Sequence, residues 1–538
     1  MRDRLRRSTD LLILMVVCSF LFLAGVQSVG LLGADEPRYA QVAREMLQRH
    51  DWVTPTLWGK PWLEKPPLYY WMTALAYKAA GVHDWAARMP SVVLTTLMVF
   101  FIYFWARRFY KGMQLDAALI TAASAMVIGF SRGASMDMPL TATFTIALLS
   151  WWAWYKERNR LWLLGFYFFL ALGMLAKGPV AVFLAAVVLL FFVLLRREWK
   201  LLLQTLWPAG ILLFLVVVLP WYVAVQKANP EFFRVFILEH NLARYATDLY
   251  RHSEPFWYFI AVALVGLVPW VAFVIVALVD AIRGWRFSAE QPASQEDLSL
   301  LLTLWFLFPI VFFSFSRSKL PGYILPTIPP AAILLADFVR RREDEGDKPS
   351  LWLILVHAAI SAALLIAVFL VPFKVLHLRW PSQVLIVAVL LAVCTFAFFV
   401  ATLLSHGYRM LRFTTLVPVV IAFAMLLRGT APIIEALQSA RPVQASLQTT
   451  SLGQLPDIAV YDVPRAIQYG LGFYRNHYVG DYGWNEIPDG THILVAKSGT
   501  QNWLRDRLGQ RRITRIGGWE PQHLDFYLVA AKPGEVKQ

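Results

Sequence analysis

Residues 384–404 read VLIVAVLLAVCTFAFFVATLL, a stretch without a charged side chain. About 20 such residues in one helix cross the ~30 Å hydrocarbon core of a membrane, where a helix satisfies its own backbone hydrogen bonds. Comparable apolar runs recur in both directions from this stretch, and we predict about thirteen membrane-spanning helices between residues 11 and 427. The sequence therefore predicts a polytopic α-helical membrane protein.

Composition excludes the main soluble classes. The 538-residue chain is 58% hydrophobic, 15% aromatic and only 16% charged, whereas a soluble domain has about 25% charged residues. A soluble enzyme, a disordered chain, a collagen and a coiled coil are all excluded on these numbers. Cys18 and Cys394 both lie within apolar runs, which excludes a disulfide framework and a cysteine-based metal site.

The net charge of +15 is explained by topology rather than by nucleic acid. Lysine and arginine gather in every second loop, beginning with the arginines at residues 2–7. Because cytoplasmic loops collect these residues, we place the N-terminal tail in the cytoplasm. An odd number of spans then places residues after about 430 on the outer side of the membrane, which for a bacterial inner membrane is the periplasm.

A change of composition near residue 430 predicts two domains, a transmembrane domain at 1–430 and a small periplasmic α/β domain at 431–538. Within the second, the pattern predicts strands at 457–463, 491–497 and 523–531 and a helix at 501–508. A lid or acceptor-docking role and a simple folding cap both remain open for this domain.

Two long loops, at 33–86 and 226–255, lie on the outer side in this topology. In the first, Pro37 suits the first turn of a helix whose positive end carries Asp35 and Glu36. Apolar residues then recur with helical spacing, and a second amphipathic stretch follows Pro66 and Pro67. We predict two periplasmic amphipathic helices on the membrane surface.

Ionisable side chains gather at the outer ends of several predicted spans, where they are functional candidates. Cations beside carboxylates suit a phosphate-linked sugar on a long lipid, because the leaving phosphate needs its charge neutralised. A hydroxyl acceptor also needs a base, for which we choose Asp35. For the phosphate we choose Arg38, Lys65 and Lys319. Helix capping by the acidic residues and snorkelling by the lysines are the structural alternatives.

Six motifs carry a resemblance to a known family. They are DEPRY at 35–39, EKPPLYYW at 64–71, DMP at 137–139, KGP at 177–179, HSEPFWY at 252–258 and SKLPGYILP at 318–326. In order and spacing, from residue 1 to about 430, the chain closely resembles the aminoarabinose lipid A transferase family, which is related to the dolichyl-phosphate-mannose protein mannosyltransferases. The resemblance implies the C-type glycosyltransferase fold (GT-C), a polyprenyl-phosphate sugar donor and inverting transfer on the periplasmic side.

The resemblance also implies roles for individual residues. Asp35 matches the acidic position taken as catalytic, with Glu36 beside it, and Asp137 matches a second carboxylate of the cavity. Positions near the donor phosphate are matched by Arg38, Lys65, Lys177 and Tyr323. Glu64 and His252 match positions that could share a divalent cation, although monophosphate donors of this kind generally need no cofactor.

The acceptor and the sugar remain open at this point. Lipid A, a protein hydroxyl, as in an O-mannosyltransferase, and another glycan are the alternatives within the transferase class. A secondary transporter is the alternative from another class, but transporters place charges near the midplane of two repeated halves. Here the charges gather at one face and the halves show no repeat, so a transferase acting in the bilayer is favoured.

Overall fold

The structure, a computed structural model, describes residues 2–243, 254–287, 296–375, 382–449 and 457–532. The chain forms two compact units, which we call the helical unit and the mixed unit. The helical unit comprises Met1–Ala24, Leu63–Met72 and Arg88–Leu426, and the mixed unit comprises Gly25–Trp62, Thr73–Ala87 and Leu427–Gln538.

Helices dominate the described chain. The α-helices are Arg2–Cys18, Asp35–Arg49, Leu68–Ala80, Asp84–Phe109, Gln114–Ala122, Ala125–Ser131, Asp137–Glu157, Arg160–Lys177, Val180–Arg196, Trp199–Thr205, Pro208–Ala228, Tyr258–Gly266, Val271–Phe287, Glu296–Ser314, Ile328–Asp344, Leu351–Val375, Ser382–His406, Leu411–Met425, Ala431–Gln438, Arg441–Gln448, Arg465–Arg475 and Gln501–Leu508. Short π-helical segments lie at Ser19–Leu23, Arg234–Ala243 and Leu426–Thr430, and 3-10 segments at Pro321–Thr327, Gly407–Met410, Tyr482–Trp484 and Glu520–Gln522.

Seven helices of the described chain are long and apolar enough to cross a membrane, or up to nine when two bent pairs are each counted as one span. The polytopic helical architecture is therefore confirmed, whereas the count of thirteen spans is not. Two stretches expected to be single spans are broken: Gln114–Ala122 meets Ala125–Ser131 at 63°, and Tyr258–Gly266 meets Val271–Trp285 at 113°.

The two breaks support each other. The backbone N–H of Ala125, at the first break, donates to the carbonyl of Val268, at the second, at 3.1 Å. Each break therefore supplies a hydrogen-bond partner for a backbone group that the other leaves without a helical one. At Gly266, a Cβ would lie 3.0 Å from the Cβ of Met126, so the two broken segments approach closely. Broken helices persist at membrane depth only when neighbouring protein satisfies the freed groups in this way.

A helical hairpin in the helical unit positions the first group of candidate residues. The helices Asp137–Glu157 and Arg160–Lys177 pack against each other and are joined by two residues. Asn159 caps the second helix through a hydrogen bond from the Leu161 N–H at 3.0 Å. Gly173 faces Thr143 closely, as small residues do at membrane helix crossings. Because the helices are antiparallel, the start of the first and the end of the second lie together.

The mixed unit contains a five-stranded sheet. The strand order is Gly480–Asp481, Asp457–Tyr461, His492–Lys497, Leu524–Val529 and Ile513–Trp519, with the first three strands parallel and the last two antiparallel to their neighbours. Alternate residues bury its two faces, with Ile458 and Val460 in one core cluster and Ala459 in the other. The three strands and the helix expected here are confirmed to within a few residues; two further strands and the helix Arg465–Arg475 were not expected.

The mixed unit also contains much of the first long loop. The amphipathic helix expected there is present at Asp35–Arg49, but its apolar stripe of Tyr39, Val42 and Met46 is buried inside the protein rather than turned to a membrane surface. This helix packs against Arg465–Arg475. The loop and the C-terminal part of the chain therefore share one folded body.

Candidate active site

Asp137 and Lys177 form an ion pair within the helical unit. Asp137 lies in the first turn of its helix and Lys177 in the last turn of the next, where the helix dipoles favour an anion and a cation respectively. Gly178 then takes a φ of +92°, which lets the chain reverse immediately after Lys177. The hairpin therefore brings two candidate residues into direct contact across 40 positions of sequence.

The 3-10 segment Pro321–Thr327 forms the third side of this pair. The ring of Tyr323 lies 5.1 Å from the Lys177 Nζ, within the range of a cation–π contact. Gly322 lies against the carboxylate, because a Cβ there would be 2.6 Å from the Asp137 Cγ. The structure thus brings Asp137, Lys177 and Tyr323 together as one cluster.

Two other candidate cations belong to the helical unit. Lys319 is buried, and its Nζ donates to the carbonyl of Ser316 at 2.6 Å, so its ammonium is bonded to its own loop. Lys65 is half-buried. The donor-phosphate roles expected for both remain predictions.

Glu64 lies close to a histidine that the sequence did not single out. Its Oε1 is 3.7 Å from the Nε2 of His240 in the second long loop. His252, the partner expected from the resemblance, lies outside the described residues. Within the described part of the chain, no group of three or more His, Cys, Asp or Glu side chains could hold a metal ion. The shared cation remains a prediction.

Asp35 and Arg38 form the second group, within the mixed unit. They are one helical turn apart and form an ion pair, and the Arg38 Nε also donates to the carbonyl of Ala34 at 2.9 Å. The Arg38 guanidinium contacts two rings, and lies 5.3 Å from that of Trp62 and 5.1 Å from that of Tyr469. The cation is therefore held from several sides, while the carboxylate of Asp35 is exposed.

Glu36 has a local structural contact. Its Oε2 accepts the backbone N–H of Leu32 at 2.8 Å, which closes the turn leading into the helix. The bonded N–H lies before the helix, and no side-chain cap hydrogen bond is made at the N-cap Ala34, so this contact is not the helix capping considered from the sequence. A catalytic role for Glu36 remains a prediction, as does the meeting of all the candidate residues in one pocket.

Sequence reasoning missed four residues that contact the candidates: Trp62, Tyr469, His240 and Gly322. Trp62 and Gly322 lie within or beside the quoted motifs, so their position could have marked them. His240 lies in a loop already identified as long, but its residue type alone is no signal. Tyr469 lies more than 400 residues from Arg38, and nothing local connects the two.

The described residues include two ion pairs, Asp35 with Arg38 and Asp137 with Lys177. The cation of each pair also contacts an aromatic ring. Such cations suit the binding of a phosphate, and an exposed carboxylate suits proton transfer. Together with the spanning and broken helices, these side chains define the class of the protein: a multi-pass membrane protein that binds an anionic substrate.

Solved structures identify the fold as GT-C. ArnT from Cupriavidus metallidurans, solved bound to undecaprenyl phosphate, matches with a TM-score of 0.77 at 21% identity over 98% of this chain and 99% of that chain. The oligosaccharyltransferase AglB from Archaeoglobus fulgidus matches with a TM-score of 0.53 at 10% identity over 93% and 70% of the two chains. The expected fold class is confirmed.

Sequence relatives narrow the class further. An undecaprenyl phosphate-α-4-amino-4-deoxy-L-arabinose arabinosyl transferase from Edwardsiella ictaluri is 29% identical over 514 residues, covering 90% of this chain and 88% of the relative. One from Pseudomonas paraeruginosa is 33% identical over 345 residues, 63% of this chain and 61% of the relative. Residues 64–223 match the dolichyl-phosphate-mannose-protein mannosyltransferase family. The resemblance to the aminoarabinose transferases, and beyond them to the mannosyltransferases, is confirmed.

Proposed function

We propose that the protein is an inverting glycosyltransferase that moves a sugar, aminoarabinose, from a polyprenyl-phosphate donor to lipid A or a related acceptor of the cell envelope. The observation that carries this proposal is the similarity, over 90% of the chain, to a transferase whose name states that donor and that sugar. Cations contacting aromatic rings near paired carboxylates support it chemically.

Donor recognition rests on positive charge. As the bond between the anomeric carbon and the phosphate oxygen breaks, negative charge grows on the leaving phosphate, and cations held in place stabilise it without reorganising. Arg38 supplies a planar fork of donors, while Lys177 supplies a compact charge beside the Tyr323 ring. The proposed donor set is Arg38, Lys65, Lys177, Lys319 and Tyr323.

The three candidate carboxylates have different roles in this proposal. The acceptor oxygen attacks the anomeric carbon from the face opposite the phosphate, so the configuration inverts. When the acceptor is a hydroxyl, Asp35 takes its proton. Asp137 acts by holding the ammonium of Lys177, and Glu36 fixes the turn that presents Asp35. A phosphate acceptor is already anionic and needs little help from a base.

No cofactor is required in this proposal, because side chains of the protein supply the positive charge on the phosphate. The resemblance matches Glu64 and His252 to the positions that would hold a divalent cation if transfer used one. No step of the proposed reaction passes through that ion.

We place the protein in a bacterial inner membrane with the N-terminus in the cytoplasm and the mixed unit in the periplasm. The alternation of basic loops supports this orientation. A reporter enzyme fused after Gln538 tests it. Periplasmic activity is expected, and cytoplasmic activity would overturn the orientation.

A second candidate is transfer of a hexose to protein hydroxyls. It is supported by the match of residues 64–223 to the protein mannosyltransferase family. The two reactions share the donor chemistry and differ in the acceptor, so the products distinguish them.

Mass spectrometry of lipid A and of envelope glycoproteins, from cells with and without the protein, tests the proposal. We expect a pentosamine on lipid A only in cells that express it. Cells expressing Asp35→Asn are the comparison, which should lose transfer to a hydroxyl and keep part of any transfer to a phosphate. Asp506→Asn, which changes an exposed carboxylate on the helix Gln501–Leu508, is the matched control. Hexose on peptides with unmodified lipid A would favour the second candidate.

A further inference from the structure

The helix that carries Asp35 and Arg38 is fastened to the C-terminal part of the chain. The Arg44 Nη1 donates to the carbonyl of Phe473 at 2.7 Å, and its guanidinium lies 4.3 Å from the Phe473 ring. One turn earlier, the Gln41 Nε2 donates to the Asn476 Oδ1 at 3.2 Å. These contacts fix the register of Asp35–Arg49 against the helix Arg465–Arg475.

The segment that leads into this helix is held by the same part of the chain. The Arg441 guanidinium donates to the carbonyls of Gln27 and Ser28, at 3.2 and 3.3 Å. Glu435 accepts the N–H of Gly30 at 2.6 Å and also pairs with Arg441. The next N–H, that of Leu31, donates to the Tyr474 hydroxyl at 2.9 Å.

Tyr474 is suited to this acceptor role. Burial raises the pKa of its hydroxyl above the usual value, so the group stays neutral throughout the working pH range. The segment that precedes Asp35 is thus fixed by hydrogen bonds between residues 435–474 and the backbone of residues 27–31. These bonds do not depend on the side chains of residues 27–31.

The contact that bears most directly on the candidate site is made on Arg38 itself. One ring beside its guanidinium, Trp62, comes from the first loop, and the other, Tyr469, comes from the helix Arg465–Arg475. An arginine side chain has many rotamers, and each ring that covers a face of the guanidinium removes some of them. A cation ordered in advance binds its anion with a smaller entropic cost.

We propose that Tyr469 is a positioning residue that acts through Arg38, so that the C-terminal part of the chain takes part in binding the donor phosphate. This rests on the proposed role of Arg38 at that phosphate. It goes beyond the lid, acceptor-docking and folding-cap roles that the sequence left open for this part of the chain, because none of them assigns it a part in binding the donor phosphate.

The test measures the dissociation constant of undecaprenyl phosphate, and the donor KM and kcat, for the purified full-length protein. Tyr469→Leu is expected to raise the dissociation constant and the KM about tenfold with little change in kcat. Tyr469→Phe keeps the ring and is expected to stay within about twofold of the wild type. Tyr461→Leu, which removes a ring stacked on Trp503 elsewhere in the mixed unit, is the matched control.

A double-mutant cycle with Arg38→Ala decides whether the effect passes through Arg38. In the Arg38→Ala background, Tyr469→Leu is expected to have no further effect on the dissociation constant. An additive loss, or wild-type affinity in the single Tyr469→Leu variant, would overturn the inference. If Tyr469→Leu does not fold, Tyr469→Met keeps apolar bulk without a ring and gives the same test.

Failure of the proposed function has a different signature. If Arg38→Ala itself leaves the affinity for undecaprenyl phosphate unchanged, the donor role of Arg38 is wrong, and the inference fails with it. If Arg38→Ala weakens binding while Tyr469→Leu does not, the inference alone fails and the proposed function stands.

Discussion

The two carboxylate–cation pairs differ in what they leave accessible. In the helical unit, the side chains of Asp137 and Lys177 are only 20% and 16% exposed, and Gly322 and the Tyr323 ring contact them from a third segment. In the mixed unit, Arg38 is similarly covered at 18%, but Asp35 is 56% exposed. Both charged groups of the first pair are thus largely covered by protein. In the second pair the cation is covered, whereas the carboxylate is accessible to an acceptor. The comparison favours Asp35 over Asp137 as the base.

Asp35→Asn should have the largest effect. Losing a positioned base costs about 10²- to 10⁴-fold in rate when the acceptor is a hydroxyl, and the amide keeps the size of the side chain. With a phosphate acceptor the loss should be smaller, because the nucleophile is already anionic. The measurement is kcat on acceptors of each type at saturating donor.

Two outcomes bear on that assignment. Asp506→Asn changes an exposed carboxylate on the helix Gln501–Leu508 of the same unit and should leave kcat unchanged. Near-wild-type turnover of Asp35→Asn on a hydroxyl acceptor would show that Asp35 is not the base, and the contrast between the two pairs would lose its functional meaning.

Lys177→Met should have the next largest effect. It leaves the enclosed carboxylate of Asp137 without its cation, and breaking such a pair costs up to about 3 kcal/mol of unfolding free energy. Donor affinity should also fall, by about 10- to 100-fold, since a charge at the phosphate is lost. Thermal unfolding and the dissociation constant of undecaprenyl phosphate measure the two effects separately.

The double variant Asp137→Asn with Lys177→Met separates structure from binding. Removing both charges should recover most of the stability, because no uncompensated charge remains, but donor affinity should stay low. Recovery of both quantities would mean that the enclosed pair is purely structural.

Gly322→Ala should perturb the enclosed pair by a smaller amount. The new methyl group would sit 2.6 Å from the Asp137 Cγ, which forces the carboxylate to move relative to Lys177. Overpacking of this kind costs about 1–3 kcal/mol, and we expect donor affinity to fall about three- to tenfold. Gly129→Ala is the matched control, because nothing lies within 4 Å of a Cβ there. An equal response of the two variants would contradict the contact.

The residues of the enclosed pair and of the exposed pair could both be named from the sequence. Asp137 and Lys177 were both expected as site residues, and two apolar spans joined by a short basic link place the start of one beside the end of the next. The helix at Asp35–Arg49 was also foreseeable, since Pro37 and an acidic pair are a local signal for a helix start. Local patterns and the family resemblance together thus identified the residues of both pairs.

What surrounds the exposed pair could not be foreseen, because it depends on packing between distant segments. The helix Arg465–Arg475 contains Gly470 and Gly472, which lower helix propensity. The structure explains them: a Cβ at Gly472 would lie 2.6 Å from the Trp58 ring, and Gly470 faces Ala440 closely. The glycines are there for close approach, and no local pattern reveals that.

The broken spans were missed for a related reason. The residues at both breaks are themselves mostly apolar, so the hydropathy of the run continues through the bend. The hydrogen bond between Ala125 and Val268, which joins two distant segments, helps to make the breaks tolerable. Hydropathy along one segment carries no information about such a partner.

The smallest effect should come from chelation of divalent cations. If Arg38 and Lys177 neutralise the donor phosphate, as the two pairs suggest, EDTA should change turnover by less than about twofold. Glu64 tests the alternative, because its carboxylate lies 3.7 Å from His240. A carboxylate that only pairs with His240 predicts equal modest losses for Glu64→Gln and His240→Gln, with or without EDTA. The opposite result has three parts: activity is lost in EDTA, added Mn²⁺ restores it, and Glu64→Gln shows no such recovery. A metal ion would then neutralise the charge of the donor phosphate. The two side-chain pairs would orient the donor rather than neutralise it.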